Sequence, residues 1–472
     1  MSRLLAVALL GAVLLVSPFL CRSSSQSVDI VPQQIHLSLG YTPATVTVSW
    51  VSWTEPDLAF VQYGAAGALD RTVAAHFHTF VDGGEQRTQR TMYTATIHGL
   101  KGGARYEYRV TAVNGTGNFT SQPLIFRAIL ADIATGADKP LRVGLLGDWG
   151  LDNGNSTHNS LQRLVDREQL DLIVHVGDIS YNLATDNGRI GDAFMVREQS
   201  VAGRVPYQVA PGNHEGAYNF SHYRERFAMP NEASGSPSNM YSSFNVGPVH
   251  FIAFDAERYF VPDYLPYTAM PTMEYVREQY DWLSRDLEKA HQNRDKQPWI
   301  VAYAHRPMYC THIDGDWNAP YCTEQAAALR DGVAFNGGRR MYGLEKLFHN
   351  YSVDMYASGH MHSYERTYPV YREQTMNVDY RNCAAMWHLV VGASGCVEEL
   401  DRYDEGSVYP WSAARSDSYG YGVLTVHNAT HMQWQQILDE DESVLDEVWV
   451  MKEAALGGPR RGVGARKTVR GS

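Results

Sequence analysis

Residues 141 to 150 read Leu141-Arg142-Val143-Gly144-Leu145-Leu146-Gly147-Asp148-Trp149-Gly150. The first six are mostly apolar and predict a short buried strand, and an aspartate follows at its end. Four later segments repeat this pattern: Gly177-Asp178-Ile179-Ser180-Tyr181, Gly212-Asn213-His214-Glu215, Ala304-His305-Arg306-Pro307 and Gly359-His360-Met361-His362. Because ligands of α/β sheets bind beyond the carboxyl ends of strands, we expect these five segments to converge on one site.

The region from residue 140 to 437 is predicted to be a layered α/β domain, a β-sandwich flanked by helices. Its predicted strands are short and β-rich, and they cover residues 141–146, 170–176, 205–210, 249–254, 299–304 and 353–357. Between them, Val276, Tyr280, Leu283 and Leu287 repeat at helical spacing along a charged segment. Strands that alternate with helices are typical of such layered domains.

Residues 28–130 are predicted to form a separate all-β sandwich. The segment Thr45-Val46-Thr47-Val48-Ser49-Trp50 alternates with period two, and residues 59–63 and 92–97 are further candidate strands. The segment from Leu100 to Tyr106 is similar to the tyrosine corner of fibronectin type III-like sandwiches, with Gly102 where proline is usual. A linker rich in small residues, 132–140, separates this sandwich from the α/β domain.

The two ends of the chain differ from its interior. Residues 1–26 are predicted to be a secretory signal, with Arg3 before the apolar run from Leu4 to Val16. This predicts a secreted protein or one of a lysosomal or vacuolar lumen; a signal anchor is the alternative. Residues 438–472 turn from acidic to basic among glycines and are predicted to be a disordered tail. The interior has no apolar run long enough to cross a bilayer.

Composition narrows the class of partner. The 472 residues include 44% hydrophobic and 11% aromatic residues, enough for two or three packed domains. The formal net charge of −12 argues against a nucleic-acid partner, because phosphate backbones attract basic surfaces.

Cysteines and glycosylation sequons agree with an oxidising compartment. Without Cys21 of the signal, four cysteines remain, which allow three pairings; pairing by proximity predicts Cys310–Cys322 and Cys383–Cys396. Four free thiols are the alternative. Six sequons predict N-glycosylation in the secretory pathway: Asn114, Asn118, Asn155, Asn219, Asn350 and Asn428.

The five segments together offer the donors that two hard metal ions require. Carboxylates come from Asp148 and Asp178 and an amide oxygen from Asn213, and imidazoles come from His305, His360 and His362. Each motif alone would be an ordinary turn, but five in order, each after a strand, predict a two-metal site. Histidines outside this pattern are interpreted as core or solvated residues: His175, His250, His388 and His427.

This pattern resembles the metallophosphoesterases and, more narrowly, the purple acid phosphatases. The resemblance covers both domains and extends through Tyr364-Glu365-Arg366 and Ser418-Tyr419-Gly420-Tyr421-Gly422. Where the wider superfamily has a histidine, this chain has Gly150, and it has Tyr181 three residues after Asp178. A phenolate in place of an imidazole favours a trivalent ion.

The resemblance implies one ferric ion and one divalent ion per chain. Asp148, Asp178, Tyr181 and His362 would hold Fe(III), Asp178 would bridge, and Asn213, His305 and His360 would complete the divalent site. The divalent ion could be zinc, iron or manganese.

The implied activity is that of an acid phosphatase that hydrolyses small phosphate monoesters with a metal-bound hydroxide. His214 would contact the substrate and protonate the leaving group, or alternatively orient a ligand. His312 is a further candidate substrate contact. Two other functions remain open: a secreted metallophosphodiesterase or nucleotide pyrophosphatase on the same fold, and a glycoprotein with a vestigial metal site.

Overall fold

The computed structural model describes residues 29–115, 117–130, 139–260, 273–312, 321–334, 338–403 and 409–453. The predicted signal and residues 454–472 lie outside this range, as does most of the predicted linker. Among the described residues, no helix is both long and apolar enough to span a membrane.

The N-terminal domain is the predicted sandwich of two antiparallel sheets. The strands among its described residues are β1 Gln33–Leu39, β2 Val46–Ser52, β3 Leu58–Ala65, β4 Arg71–Ala74, β5 His76–Val81, β6 Gln89–Ile97, β7 Arg105–Asn114, β8 Gly117–Thr120 and β9 Leu124–Arg127. One sheet has the order β1-β2-β6-β5 and the other β4-β3-β7-β8, with β9 also on β7. The tyrosine corner is present, because the backbone N–H of Lys101 donates to the Tyr106 hydroxyl at 2.9 Å.

The second domain contains two larger mixed sheets. The first has six strands in the order β12-β11-β10-β24-β25-β26, and the second has seven in the order β13-β14-β15-β18-β22-β19-β23. Their bounds are β10 Leu141–Leu146, β11 Leu172–His175, β12 Tyr207–Val209, β13 Ser242–Val246, β14 Val249–Ala253, β15 Trp299–Tyr303, β18 Met355–Ser358, β19 Tyr364–Thr367, β22 Trp387–Val391, β23 Ser412–Ser416, β24 Gly420–Val426, β25 His431–Leu438 and β26 Val444–Met451.

Small hairpins and helices complete this domain. The hairpins are β16 Gly332–Ala334 with β17 Arg340–Tyr342, and β20 Val370–Tyr371 with β21 Gln374–Thr375. The α-helices are α1 Asn155–Asp166, α2 Arg189–Ala202, α3 Ala217–Arg226, α4 Asn231–Ser234, α5 Met273–Gln292, α6 Ala327–Asp331 and α7 Leu344–Asn350. Single turns of other helix types lie at Asn213–Glu215, Glu257–Tyr259 and Tyr321–Gln325.

Alternation within β10 shows how the two sheets share a core. Leu141, Val143 and Leu145 are fully buried in one hydrophobic cluster with Phe251 of β14 in the other sheet. Leu146 belongs to the cluster on the opposite face, which includes helical residues. Both faces of this strand are therefore covered, which explains why its sequence is nearly continuously apolar.

The predicted strands and the helix of the α/β domain are all present. The parallel strands β10, β11 and β12 lie side by side in one sheet, and β14, β15, β18 and β22 do so in the other. In α5, Val276, Leu283 and Leu287 are buried as their spacing predicts.

The prediction of a disordered tail from residue 438 is wrong at its start. After a turn, residues 444–451 form β26, which pairs antiparallel with β25. The acidic residues of the preceding turn made this segment resemble a polar tail in the sequence, although β26 itself is an edge strand. Residues 454–472 lie outside the described range.

One of the two predicted disulfides is present. Cys310 and Cys322 are joined, with Cα atoms 5.2 Å apart. The Cys383–Cys396 prediction is wrong: both side chains are buried and they are not joined to each other. The whole of β22 lies between them in the chain. Since a strand rises about 3.3 Å per residue, β22 alone spans more than the roughly 7 Å Cα limit of a disulfide, so a short loop between the two cysteines is not formed.

A buried charge network joins the sandwich to the second domain. The guanidinium of Arg90, from β6, donates to both carboxylate oxygens of Asp192 in α2, and Arg226 of α3 donates to the same carboxylate at 2.8 Å. Asp82, at the end of β5, accepts from His222 of α3 at 2.6 Å. These groups are nearly inaccessible to solvent, so the sandwich is a structural partner of the helices beside the predicted site.

Candidate metal centre

The five sequence segments meet at the carboxyl ends of parallel strands from both sheets. Asp148 follows β10, Asp178 follows β11 and Asn213 follows β12 in the first sheet. His305 follows β15 and His360 follows β18 in the second sheet. Residues more than 200 positions apart therefore face each other, as the sequence pattern predicts.

Three donor atoms of the predicted ferric group lie together. The Tyr181 hydroxyl is 3.1 Å from Asp148 Oδ1 and 2.8 Å from His362 Nε2. His362 Nε2 lies 3.5 Å from the same Asp148 oxygen. Donor atoms that each lie about 2 Å from one ion adopt separations of this size, so the set fits a metal ion.

A second group of donors lies around His305. Its Nε2 atom is 3.0 Å from Asn213 Oδ1 and 3.1 Å from Asp178 Oδ2. Ligand atoms of Asp178, His305 and His360 all lie within 4.8 Å of one another. A carboxylate, an amide oxygen and imidazoles form a donor set that suits a divalent ion.

Two glycines allow the carboxylates of Asp178 and Asp148 to approach the backbone of adjacent loops. A Cβ atom on Gly212 would lie 2.2 Å from Asp178 Oδ1, and one on Gly359 would lie 2.2 Å from Asp148 Oδ2. The left-handed backbone is instead taken by the ligands themselves, with φ of 56° at Asp148, 52° at Asp178 and 70° at His360. Such strain at non-glycine residues is typical of functional sites.

Backbone carbonyls fix the orientation of two histidine rings. His305 Nδ1 lies 3.0 Å from the Val176 carbonyl oxygen, and His362 Nδ1 lies 3.0 Å from that of Glu399. Each Nδ1–H donates to its carbonyl, which leaves Nε2 of each ring to face the other donors.

Several positioning groups were not predicted from the sequence. Glu215 accepts the backbone N–H groups of Asp178, Ile179 and Gly212, each at 2.9 Å, and so ties two ligand loops together. Asp401 accepts the backbone N–H of His362 at 2.7 Å. Glu215 belongs to the segment Gly212-Asn213-His214-Glu215 and could have been considered for a role from the sequence. Asp401 lies in a loop without a motif, so nothing in the sequence indicated its role.

A buried arginine borders the divalent group. Arg306 Nη1 donates to His360 Nε2 at 2.9 Å, and Arg306 Nε donates to Glu257 at 3.0 Å. The guanidinium also lies 4.7 Å from the centre of the Phe260 ring. Glu257 thus compensates the positive charge that Arg306 brings to the centre.

His214 lies at the partly exposed side of the centre. Its Nδ1 contacts Asn182 Oδ1, and its Nε2 is 3.4 Å from Glu398 Oε1 and 3.9 Å from Asp178 Oδ2. The ring packs on Tyr181, with 4.6 Å between ring centres. The side chain is 19% exposed, so part of the ring faces solvent. Glu398 was not predicted from the sequence, because its loop carries no recognisable motif.

Burial and clustered charges perturb the ionisable groups. Burial lowers the pKa of His305, but the charges of Asp178 and Asp148 outweigh burial and raise this pKa to about 9. Burial, followed by the charges of Asp148 and Asp178, raises the pKa of Tyr181 well above its ordinary value. The centre therefore attracts cations, and a tyrosinate would need a bound cation to form.

His312 does not face solvent. Its ring is 1% exposed and packs on Tyr403, with 4.1 Å between ring centres. Burial lowers the pKa of His312 to about 4, so this residue is a neutral ring. Its predicted contact with substrate has no support in this position.

The other predicted residues lie outside the centre. His175, His250 and His388 are buried, and His427 stacks on Trp449 at 4.8 Å. Among the sequon asparagines, Asn155, Asn118 and Asn350 are exposed, while Asn114, Asn219 and Asn428 are partly buried. Their glycosylation stays a prediction.

Three family profiles match consecutive parts of the chain. Residues 32–128 match the purple acid phosphatase N-terminal domain, residues 141–364 match the calcineurin-like phosphoesterases, and residues 385–447 match the iron/zinc purple acid phosphatase-like protein C family.

Relatives match nearly the full length. The chain is 37% identical over 430 residues to acid phosphatase type 7 of Homo sapiens, covering 89% of this chain and 91% of that protein. It is 26% identical over 506 residues to purple acid phosphatase 15 of Arabidopsis thaliana, covering 89% and 86%. The fold is similar to that of purple acid phosphatase PPD1 from yellow lupin (Lupinus luteus) seeds, with a TM-score of 0.72 and 22% identity over 90% of this chain and 75% of that one.

Proposed function

The chain belongs to the purple acid phosphatase family, and from this membership we propose that it hydrolyses phosphate monoesters at a centre of two metal ions. It is a metal-dependent acid phosphatase by its relatives and by its phosphoesterase domain. The observation that carries the proposal is the adjacency of two donor groups, one around Tyr181 and one around His305, at one edge of the sheets.

We assign the ligands by the positions of their donor atoms. Asp148, Tyr181 and His362 would hold one ion, and Asn213, His305 and His360 the other, with Asp178 between the groups. The phenol of Tyr181 favours ferric iron in the first position; zinc, iron or manganese would fill the second. The ions would clamp the phosphate and activate a water molecule.

His214 would act on the leaving group. Its Nδ1 is held by Asn182, so Nε2 points toward the centre and can donate a proton to the departing alkoxide. Burial lowers the pKa of His214, but Asp178 and Glu398 outweigh burial and raise it to about 9, which favours the protonated ring. Glu398 would hold this ring when substrate is absent.

The test compares a phosphate monoester with a diester on protein purified with its metals. We expect p-nitrophenyl phosphate to be turned over at acidic pH with kcat/KM at least about tenfold above that of bis-p-nitrophenyl phosphate. A higher value for the diester would replace the proposal with the phosphodiesterase alternative. No turnover of either ester by fully metallated protein would indicate the vestigial-site alternative.

We also propose that the protein enters the secretory pathway and acts outside the cell or in a lysosomal or vacuolar lumen. The support is the sequence of residues 1–26, the six sequons and the buried Cys310–Cys322 disulfide. A mature N-terminus near Gln26 in protein collected from the culture medium would agree with export.

A further inference from the structure

A polar cleft lies between the N-terminal sandwich and the segment that follows Tyr181. Its volume is about 380 Å³. Gly84, Glu85 and Gln86, in the turn between β5 and β6, form one wall, and Asn182, Thr185 and Asp186 form part of the other. Small-molecule sites have volumes of about 300–1,000 Å³, so the cleft suits a small organic group.

The cleft shares a residue with the metal centre. The Asn182 side chain lines the cleft, contacts Nδ1 of His214 through Oδ1, and donates through Nδ2 to Thr185 Oγ1 at 3.3 Å. Since His214 is proposed to serve the leaving group, the cleft begins on the side to which the alcohol part of an ester extends.

The wall from the sandwich is fixed to the second domain. The backbone N–H of Gln86 donates to Asn187 Oδ1 at 3.0 Å, and Arg189 donates to Gln86 Oε1 at 2.8 Å. Gly83 lies against the Tyr218 ring so closely that a Cβ atom there would be 2.2 Å from Cγ. The cleft is therefore preformed, which lowers the entropic cost of binding.

The lining selects by charge and hydrogen bonding. It presents amide groups of Asn182 and Gln86, the hydroxyl of Thr185 and the carboxylates of Glu85 and Asp186. The nearby guanidinium of Arg189 is engaged by Asp186 at 3.0 Å as well as by Gln86. Sugar hydroxyls can donate to carboxylates and accept from amides, whereas a second anionic group would meet like charge.

We propose that this cleft binds the alcohol part of the substrate and selects neutral polyhydroxylated alcohols, that is, sugar or polyol phosphates, over esters with a second anionic group. The inference rests on the proposed phosphatase function. It assigns part of substrate selection to the sandwich domain, through Glu85 and Gln86.

The test uses two six-carbon probes, glucose 6-phosphate and 6-phosphogluconate; because the second has an open chain as well as a carboxylate, sorbitol 6-phosphate, a neutral open chain, is measured beside them to separate charge from shape. We expect wild-type kcat/KM to be several-fold higher for glucose 6-phosphate. Glu85→Lys should lower the ratio of kcat/KM for glucose 6-phosphate to kcat/KM for 6-phosphogluconate by roughly fivefold to tenfold. Gln86→Ala should raise KM for glucose 6-phosphate by roughly fivefold, which is the effect of one lost hydrogen bond. Both side chains are exposed, so neither change threatens the core.

Asp57→Lys is the matched control. It makes the same acid-to-lysine change at an exposed position of the sandwich outside the cleft lining, and should leave the ratio unchanged. Equal ratios in wild type and Glu85→Lys would overturn the inference, as would a wild type that turns over p-nitrophenyl phosphate but not glucose 6-phosphate. If the wild-type protein did not hydrolyse p-nitrophenyl phosphate at all, the proposed phosphatase function itself would be contradicted.

Discussion

Individual residues at the centre carry distinct and separable roles. Tyr181 is both a predicted ligand and the surface on which His214 packs. Asp178 contacts His305 through Oδ2 and accepts the backbone N–H of His214 through Oδ1, and its charge also contributes to the raised pKa of Tyr181 in the other donor group. Substitutions that remove one donor atom but keep the shape of the side chain can therefore test each role.

Asp178→Asn should have the largest effect among the ligand substitutions. As the proposed bridge, this carboxylate serves both ions, so the variant should lose more than about 100-fold in kcat and contain less of both metals. Activity within about tenfold of wild type, roughly 1.4 kcal/mol of barrier, would make the bridging assignment wrong. The exposed Asp152→Asn is the control, and metal analysis with turnover gives the readout.

Tyr181→Phe should remove colour while it keeps the ring that packs on His214. A phenolate that donates charge to ferric iron absorbs visible light, so wild-type protein should be violet or pink and the variant nearly colourless. A visible spectrum with iron analysis decides. Tyr403→Phe, which removes a hydroxyl that bonds to Ser363 instead, should keep the colour. A colourless, fully metallated wild type without iron would contradict the ferric assignment.

His214→Ala should slow esters according to their leaving groups. Aryl phosphates with acidic phenols need little protonation, so their rates should fall less than those of alkyl phosphates, by a difference of about 10- to 100-fold. The measurement is kcat for both classes. An equal loss for both would assign His214 to positioning the phosphate instead.

At the scale of elements, the sequence predicted the parts of the centre that follow regular strands. Asp148, Asp178, Asn213, His305 and His360 could be placed because an apolar run precedes each of them. The loop that contains Glu398, Glu399 and Asp401 could not be found, because it acts partly through a backbone carbonyl and has no periodicity. The Cys383–Cys396 pairing was predicted from proximity in the sequence, which does not take account of the strand β22 between the two cysteines.

The edge strand β26 supports the centre from outside it. Asp446 accepts from Arg366 Nε at 2.6 Å, from Arg366 Nη2 at 2.8 Å and from the Tyr364 hydroxyl at 2.6 Å. Both partners belong to β19, which begins two residues after His362. Asp446 of β26 therefore holds β19 in place, and β19 closely follows the predicted ligand His362 in the chain. We call this contact the Asp446 clamp.

Asp446→Ala should destabilise the fold, because it leaves the largely buried Arg366 guanidinium uncompensated. We expect a loss of about 3 kcal/mol in the free energy of unfolding and weaker retention of the ion beside His362. Glu447→Ala, on the exposed face of the same strand, is the control. Denaturant unfolding and metal content are measured; equal stability of the two variants would argue against the clamp.

At the scale of the whole molecule, two domains act as one structure. The network of Arg90, Asp192 and Arg226 is buried at their junction, and His222, which accepts from Arg226, links it to Asp82 of the sandwich. Buried ionisable groups of this kind make stability depend on pH.

Glu365, which is buried in the second domain, is the clearest case of a group that makes stability depend on pH. Burial raises its pKa to about 7, against the lowering effect of hydrogen bonds from Ser412 and Thr311.

Glu365→Gln should flatten the pH dependence of stability. A carboxyl whose pKa is raised by folding binds its proton more tightly in the folded chain. The contribution of Glu365 to the free energy of unfolding is therefore fully present below the ordinary pKa of 4.5, and it is lost as pH rises through the raised pKa of about 7.

Between pH 5 and pH 8 the wild type should lose on the order of 2–3 kcal/mol from this group, and the glutamine variant should not. Melting temperatures across this range give the readout, with the exposed Glu232→Gln as the control. Parallel curves for wild type and Glu365→Gln would contradict the assignment.

The order of strands in the six-stranded sheet bears on how the enzyme is made. β10, which carries Asp148, pairs with β24, and the sheet is completed only by β25 and β26 at the end of the chain. The strand β11 and Tyr181, which lie beside β10 and Asp148, are synthesised soon after them, whereas β24 follows only at Gly420–Val426. We therefore expect the proposed centre to retain metal ions only once His362 and the C-terminal strands β24 to β26 are in place, so that a chain truncated before residue 420 would lack part of the sheet that carries Asp148.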